Sequence, residues 1–325
     1  MSVNLPQGLH AFIAQSGWAD AAIAPLAGDA SFRRYFRLTL GGQSAMLMHA
    51  PPPHEDPAPF IAVADWLHAQ GLRAPQILAQ DAAQGWVLLE DFGDARLRDH
   101  LDTAPQDEAT VYKSAIDALI ALGQCAPGPF PPYDWATYLR EVNLLPQWYA
   151  PAVGITVDEP GYEAAWAKAL APVLADPARV TVLRDYHAEN IMLLGDLTTQ
   201  GLLDFQDALI GHPAYDLVSL LQDARRDVPP ATEAAMLDHY LTQTGQPRDA
   251  FHSAYAILGA QRNAKIVGIF VRLARRDGKQ RYLALIPRVW ALLERDLAHP
   301  ALAPVAAWFD ANIPAPLRAA NGGLL

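Results

Sequence analysis

The chain has a single cysteine, Cys125, in 325 residues, so no disulfide can form within it and its stability must come from burial and hydrogen bonding. A lone thiol is compatible with a reducing compartment. Positive charge is scarce: 24 Lys and Arg stand against 35 Asp and Glu, and the resulting net charge of −11 opposes partnership with nucleic acid or an anionic membrane. Long apolar runs are missing too. No segment approaches the roughly 18 uninterrupted apolar residues of a membrane span, and the opening MSVNLPQGLHAFIAQSG has no basic stretch followed by an apolar core. No internal repeat is present. These absences lead to the expectation of a soluble, cytoplasmic protein; it is also expected to be a monomer.

The composition that remains is that of a large folded chain. With 51% hydrophobic residues over 325 positions it can bury more core than one ordinary domain holds, so two lobes are expected. The 27 prolines are spread out, apart from the cluster Pro51, Pro52, Pro53 and Pro57, and they punctuate elements. Leu5–Ser16 predicts an opening helix, and Ile23–Ala50 predicts three short strands broken at Gly28-Asp29 and Gly41-Gly42. Phe60, Val63, Ala64 and Leu67 recur at helical spacing, and Gly71 stops that helix. Gln76–Ala79 and Trp86–Leu89 alternate as strands. From Ala95 onward the pattern is helical: Glu108–Leu122, Trp135–Tyr149, Tyr162–Leu174, Ala214–Ala224, Ala231–Thr242, Ala250–Ala274 and Gln280–Leu297. The expected class is α+β, with a small antiparallel β lobe and its helix over residues 1–90, a hinge at Glu90-Asp91-Phe92-Gly93, and a large, mainly helical lobe over 91–325.

The chemistry concentrates in LRDYHAENIMLL, Leu183–Leu194, and in GLLDFQDALIGHPAYDL, Gly201–Leu217. Asp185 and Asn190 have the D-x-x-x-x-N spacing of a phosphoryl-transfer loop, and Asp204 follows a short apolar run, where a metal-binding carboxylate would stand. Such a reaction needs an acceptor hydroxyl held in line and charge neutralised on phosphate oxygens. Asp185 would take or orient the proton, while Asn190 and Asp204 would hold Mg2+ through oxygen, the ligand a hard cation prefers.

These residues resemble the aminoglycoside phosphotransferase and choline kinase superfamily, relatives of the protein kinases, and Pro213-Ala214-Tyr215-Asp216-Leu217 matches the segment that follows its second metal Asp. DASFRRYFRL, DYH, DFQDA and AQRNAKIVGIFVRLARRDGK resemble, within it, the anomeric sugar kinases of bacterial cell-wall recycling. The resemblance implies a protein-kinase-like two-lobe fold, ATP as co-substrate, Mg2+, and transfer to the C1 hydroxyl of N-acetylmuramate and N-acetylglucosamine. It implies a nucleotide site from Gly28, Asp29, Ala30, Ser31, Phe32, Arg33 and Arg34, with Glu90, Asp91 and Phe92. His187 and Asp216 would support the loop. For the acceptor, an N-acetyl sugar asks for neutral hydrogen-bonding groups and, for the lactyl carboxylate of muramate, at least one cation; Glu141, Asn143, Arg184, Gln206, Asp207, Arg262 and Lys265 are the candidates.

One departure stands out. The strand Ser44–Ala50 should carry a basic residue for the phosphates but has Met46 and Met48, and the next helix has only Asp65 where a Glu partner is expected. Losing both members of an ion pair costs less than stranding one, so Arg33, Arg34 or His49 is expected to supply the charge. Alternative readings are an aminoglycoside kinase, a choline-type kinase with an aromatic box from Trp135, Tyr138, Trp148 and Tyr149, and a nucleotide-binding pseudokinase.

Overall fold

Alternation in Arg34–Leu40 places Phe36 and Leu38 on one face, and in Gln43–His49 Ala45 and Leu47 share a face while Met46 and Met48 make the other apolar as well. The computed structural model describes residues 5–26 and 32–324. Five antiparallel strands, β1 (Ala22–Pro25), β2 (Arg34–Leu40), β3 (Gln43–His49), β4 (Ile77–Asp81) and β5 (Trp86–Glu90), form a sheet in the order β1-β2-β3-β5-β4. Its register sets the faces. Phe36, Leu47 and Leu88 stand in one row and Arg34, His49 and Trp86 in the next, on the side covered by Leu9, Phe12 and Ile13 of the helix Leu9–Gln15. Tyr35, Met48 and Val87, then Arg37, Met46 and Leu89, stand on the opposite side.

The chain divides into two compact units, residues 1–103 with 189–207, and residues 104–188 with 208–325. The sequence boundary at residue 90 therefore differs from the division by contact. The reason is the hairpin of β7 (Ile191–Leu193) and β8 (Gln200–Leu202), introduced after β6 (Val180–Val182) of the second unit. Leu193 N–H donates to the Ala95 carbonyl and Leu202 N–H to that of Arg73, both at 2.8 Å, which binds the hairpin to the first unit.

In the second unit, β6 pairs with β9 (Leu209–Gly211), and the remainder is helical. The helix expected over Trp135–Tyr149 is α-helical only to Val142 and continues as a π-helical turn, Leu145–Tyr149. Pro146 explains the break, since its ring crowds the carbonyl four residues earlier and it has no N–H to donate. Arg248–Arg276 is the longest helix, and its middle is buried on all sides, including Gln261, Arg262 and Asn263. At Gly268 a Cβ would lie 2.3 Å from the Leu144 carbonyl carbon, so only glycine permits this approach. The helices Leu97–Thr103, Ala303–Asn312 and Ala315–Ala319 lie outside the segments read from periodicity.

Candidate active site

In the second unit, Asp216 lies in the first turn of the helix Ala214–Leu221 and commits both carboxylate oxygens to the loop ahead of it: Leu183 N–H donates to Oδ2 at 2.6 Å and Arg184 N–H to Oδ1 at 2.8 Å. These bonds, with Ser219 Oγ–H donating to the Arg184 carbonyl at 3.0 Å, hold Arg184 at φ 70. Left-handed backbone at a residue with a Cβ costs of order 1 kcal/mol or more, and here it turns the chain into Asp185. Burial lifts the Asp216 carboxyl to about 7, against the two backbone N–H groups and Arg262, which pull it down. Ala188 N–H is likewise held, at 3.2 Å, by buried Asp223, a residue without any motif to announce it.

The Asp185 side chain is 43% exposed, and an Arg262 Nη2 lies 3.9 Å from its Oδ1. Burial works to raise this carboxyl, but the charges of Lys265 and Arg262 outweigh it and hold the group below the usual carboxylate range. Arg262 is itself 4% exposed. His187, expected to support the loop, is buried behind it, with Nε2 3.4 Å from an Arg225 nitrogen, and burial keeps it neutral.

Beside this group lies a buried knot that sequence spacing does not show. Glu141, 5% exposed, accepts from Arg184, from the Tyr133 hydroxyl, from Lys265 Nζ at 3.0 Å and from Gln261 Nε2 at 3.1 Å. Four of the proposed acceptor residues, Glu141, Arg184, Arg262 and Lys265, are thus brought together with Asp185. Glu141 is consumed as the counter-anion of Arg184 and Lys265, which speaks for a supporting role. Asn143 is elsewhere, donating to Glu163 at 2.8 Å.

Asn190, Asp204, Gln206 and Asp207 belong to the first unit. Asn190 Nδ2 lies 3.2 Å from Asp204 Oδ2, and Leu203 N–H donates to the Asn190 carbonyl at 2.9 Å, so the β7–β8 hairpin fixes the pair. Asp204 also has left-handed backbone, φ 59. Gln206 Nε2 donates to its Oδ1 at 2.8 Å, orienting the carboxylate, while Asp207 is exposed. This is an all-oxygen donor set of two side chains. It fits Mg2+, which takes few protein ligands and completes its shell with phosphate and water. Among the described residues no group of three or more His, Cys, Asp and Glu forms a rival metal cage.

Of the expected nucleotide residues, Gly28, Asp29, Ala30 and Ser31 lie outside the described residues. Phe32 is 67% exposed and stacks on His54. Arg33 Nε pairs with Glu55 at 3.3 Å, and Arg34 lies over Phe36 on the opposite sheet face. Glu90 is gripped by both terminal nitrogens of Arg73, so its carboxylate serves the fold. Asp91 receives Arg37 at 2.7 Å. Phe92 lies under Arg73 and against Gly201, where a Cβ would come within 2.5 Å of its ring. His49 stacks on Trp86, and burial together with Arg34 keeps it neutral, so it cannot supply the missing charge.

The D-x-x-x-x-N loop, the Asn190–Asp204 pair and the kinase-type succession of strands and helices are those expected of a phosphotransferase. Residues 22–255 match the phosphotransferase enzyme family, and the chain belongs to that family. It is 41% identical to the N-acetylmuramate/N-acetylglucosamine kinase of Caulobacter vibrioides, over 95% of this chain and 96% of that protein. It is 40% identical to the protein of the same name from Pseudomonas aeruginosa, over 88% of each. Among solved structures it is similar to a choline/ethanolamine kinase family protein from Mesorhizobium loti, with a TM-score of 0.63 at 16% identity, covering 93% of this chain and 96% of the other. That likeness gives the fold, protein-kinase-like α+β.

Proposed function

We propose that this chain is an ATP-dependent sugar kinase that phosphorylates the anomeric C1 hydroxyl of N-acetylmuramate and N-acetylglucosamine, serving peptidoglycan recycling in the cytoplasm. The observation that carries this reading is its near full-length similarity, at 40% and 41% identity, to two proteins so named. The retained base and metal pair support it. The acceptor oxygen attacks the γ-phosphorus, its proton passes to the Asp185 carboxylate, and ADP leaves. Asp185 is suited to that role because its neighbours keep it ionised at neutral pH while it remains accessible. Mg2+, held by Asn190 and Asp204, would neutralise phosphate charge.

The other acceptors fit less well. A polycationic aminoglycoside asks for an acidic surround, whereas Arg184, Arg262 and Lys265 gather near Asp185. Two of the four aromatics of a choline-type box are committed to the core. Tyr138 is stacked on Tyr133 at 3.9 Å, and Tyr149 is buried against Trp290 and bonded to the Gly322 carbonyl. The test is ADP release from MgATP with N-acetylglucosamine, N-acetylmuramate, an aminoglycoside and choline in parallel. Turnover with the two amino sugars alone is expected. Preference for either of the others, or ATP binding without turnover on any, overturns the proposal.

A further inference from the structure

We infer that Arg33, steadied by Glu55, is the cation that holds the nucleotide phosphates in this chain, and that Arg34 has no part in it. The inference rests on the kinase reading and assigns the charge that β3 lacks.

No lysine precedes Lys113, and none lies in residues 189–207, so a permanently charged phosphate cation in the first unit must be an arginine. That unit has six. Arg73 is committed to Glu90 and stacked on Phe92, and Arg98 pairs with Glu189. The exposed Arg96 follows β5 and enters the β7–β8 hairpin through its backbone. Arg37 does share the sheet face of Met46, but it is surrounded by two carboxylates, Asp91 at 2.7 Å and Asp94 at 2.8 Å, and by the Gly93 carbonyl at 3.2 Å. With more negative than positive charge around it, that guanidinium anchors the segment after β5. Arg34 is in register with His49 and Trp86, on the face packed against the first helix.

Arg33 is on the other face, two residues before Tyr35. Tyr35 is in register with Met48, one of the two positions where the basic residue is missing, and its hydroxyl lies 3.5 Å from Met48 Sδ. The same hydroxyl is raised in pKa chiefly by burial and also by the charge of Asp204, with Arg33 acting in the opposite sense. Arg33, Tyr35, Met48 and the metal carboxylate therefore share one electrostatic neighbourhood. A side chain only 12% exposed, held by a Glu55 side chain 20% exposed, needs little further ordering to accept a phosphate. The Glu55 pair takes the place of the strand–helix pair, with the cation moved from β3 to the start of β2 and the anion to the turn before the helix Ala58–Ala69. A guanidinium suits this position because it can bond the carboxylate and a phosphate oxygen at once.

The test is calorimetric binding of MgADP, without sugar, to the wild type and to Arg33→Gln, Arg34→Gln and Glu55→Gln. We expect at least tenfold weaker binding for Arg33→Gln, a smaller loss for Glu55→Gln, and a value within about threefold of wild type for Arg34→Gln. Glu55→Gln breaks the same ion pair while leaving the cation, which separates phosphate binding from a structural role. Arg33→Gln within twofold of wild type, or Glu55→Gln as damaging as Arg33→Gln, overturns the inference alone. A wild-type chain that binds no MgADP overturns the kinase reading and this inference together.

Discussion

Replacing Glu141 by Gln tests whether the buried knot beside Asp185 supports the fold or contacts substrate. The side chain keeps its shape, but two cations lose their anion: Arg184, 17% exposed, and Lys265, 12% exposed. Leaving a buried charge uncompensated costs about 3–5 kcal/mol. For 325 residues, at about 2.1 cal/mol/K per residue of unfolding entropy, that lowers Tm by about 4–7 °C. Lys265→Met in the same chain removes one stranded charge and should recover part of the loss. Glu141 is buried, yet Lys265 and Arg184 hold it below the usual carboxylate range. Its contribution is thus present above the ordinary carboxylate pKa and fades as pH falls through the depressed folded value, so the gap between variant and wild type should narrow in acid. Urea and thermal unfolding at neutral pH and near pH 4 read this out. Stability within about 1 kcal/mol of wild type, together with a raised sugar KM, would refute the argument and make Glu141 an acceptor contact.

Asp185→Asn should lower kcat by about 10²- to 10⁴-fold, the usual contribution of a positioned base, with MgADP affinity unchanged by calorimetry. Asn190→Ala and Asp204→Ala should each raise the Mg2+ concentration needed for half-maximal rate, Asp204→Ala more because it removes a charge; rates insensitive to chelator would contradict both roles. Arg262→Gln withdraws one of the charges that depress Asp185, so any acid limb of kcat/KM due to that carboxyl should move to higher pH, whereas an unmoved limb would detach Arg262 from the base.

The legible parts of this site were those whose chemistry is local in the chain. The spacing of Asp185 to Asn190 and the apolar run before Asp204 each fall within one loop or hairpin. Glu141 was legible only as a polar residue. Its charged partners lie 43 and 124 residues away, and nothing in the local pattern distinguishes a buried counter-anion from a sugar contact. The same holds for Glu90, whose carboxylate is taken by Arg73, and for Gln206, whose amide serves Asp204. The β7–β8 hairpin joins the first unit through bonds to Ala95 and Arg73, a long-range choice invisible to periodicity. The helix break at Val142 had a local cause, Pro146, outweighed in the pattern by the apolar spacing around it.

The most direct measurement is the position of the phosphate in the product, by 31P and 1H NMR of N-acetylglucosamine and N-acetylmuramate incubated with MgATP and the purified chain. A phosphate coupled to the anomeric proton of both sugars is expected with the wild type, and none above background with Asp185→Asn. Phosphate at another hydroxyl, or the same product at an undiminished rate from Asp185→Asn, would contradict this reading.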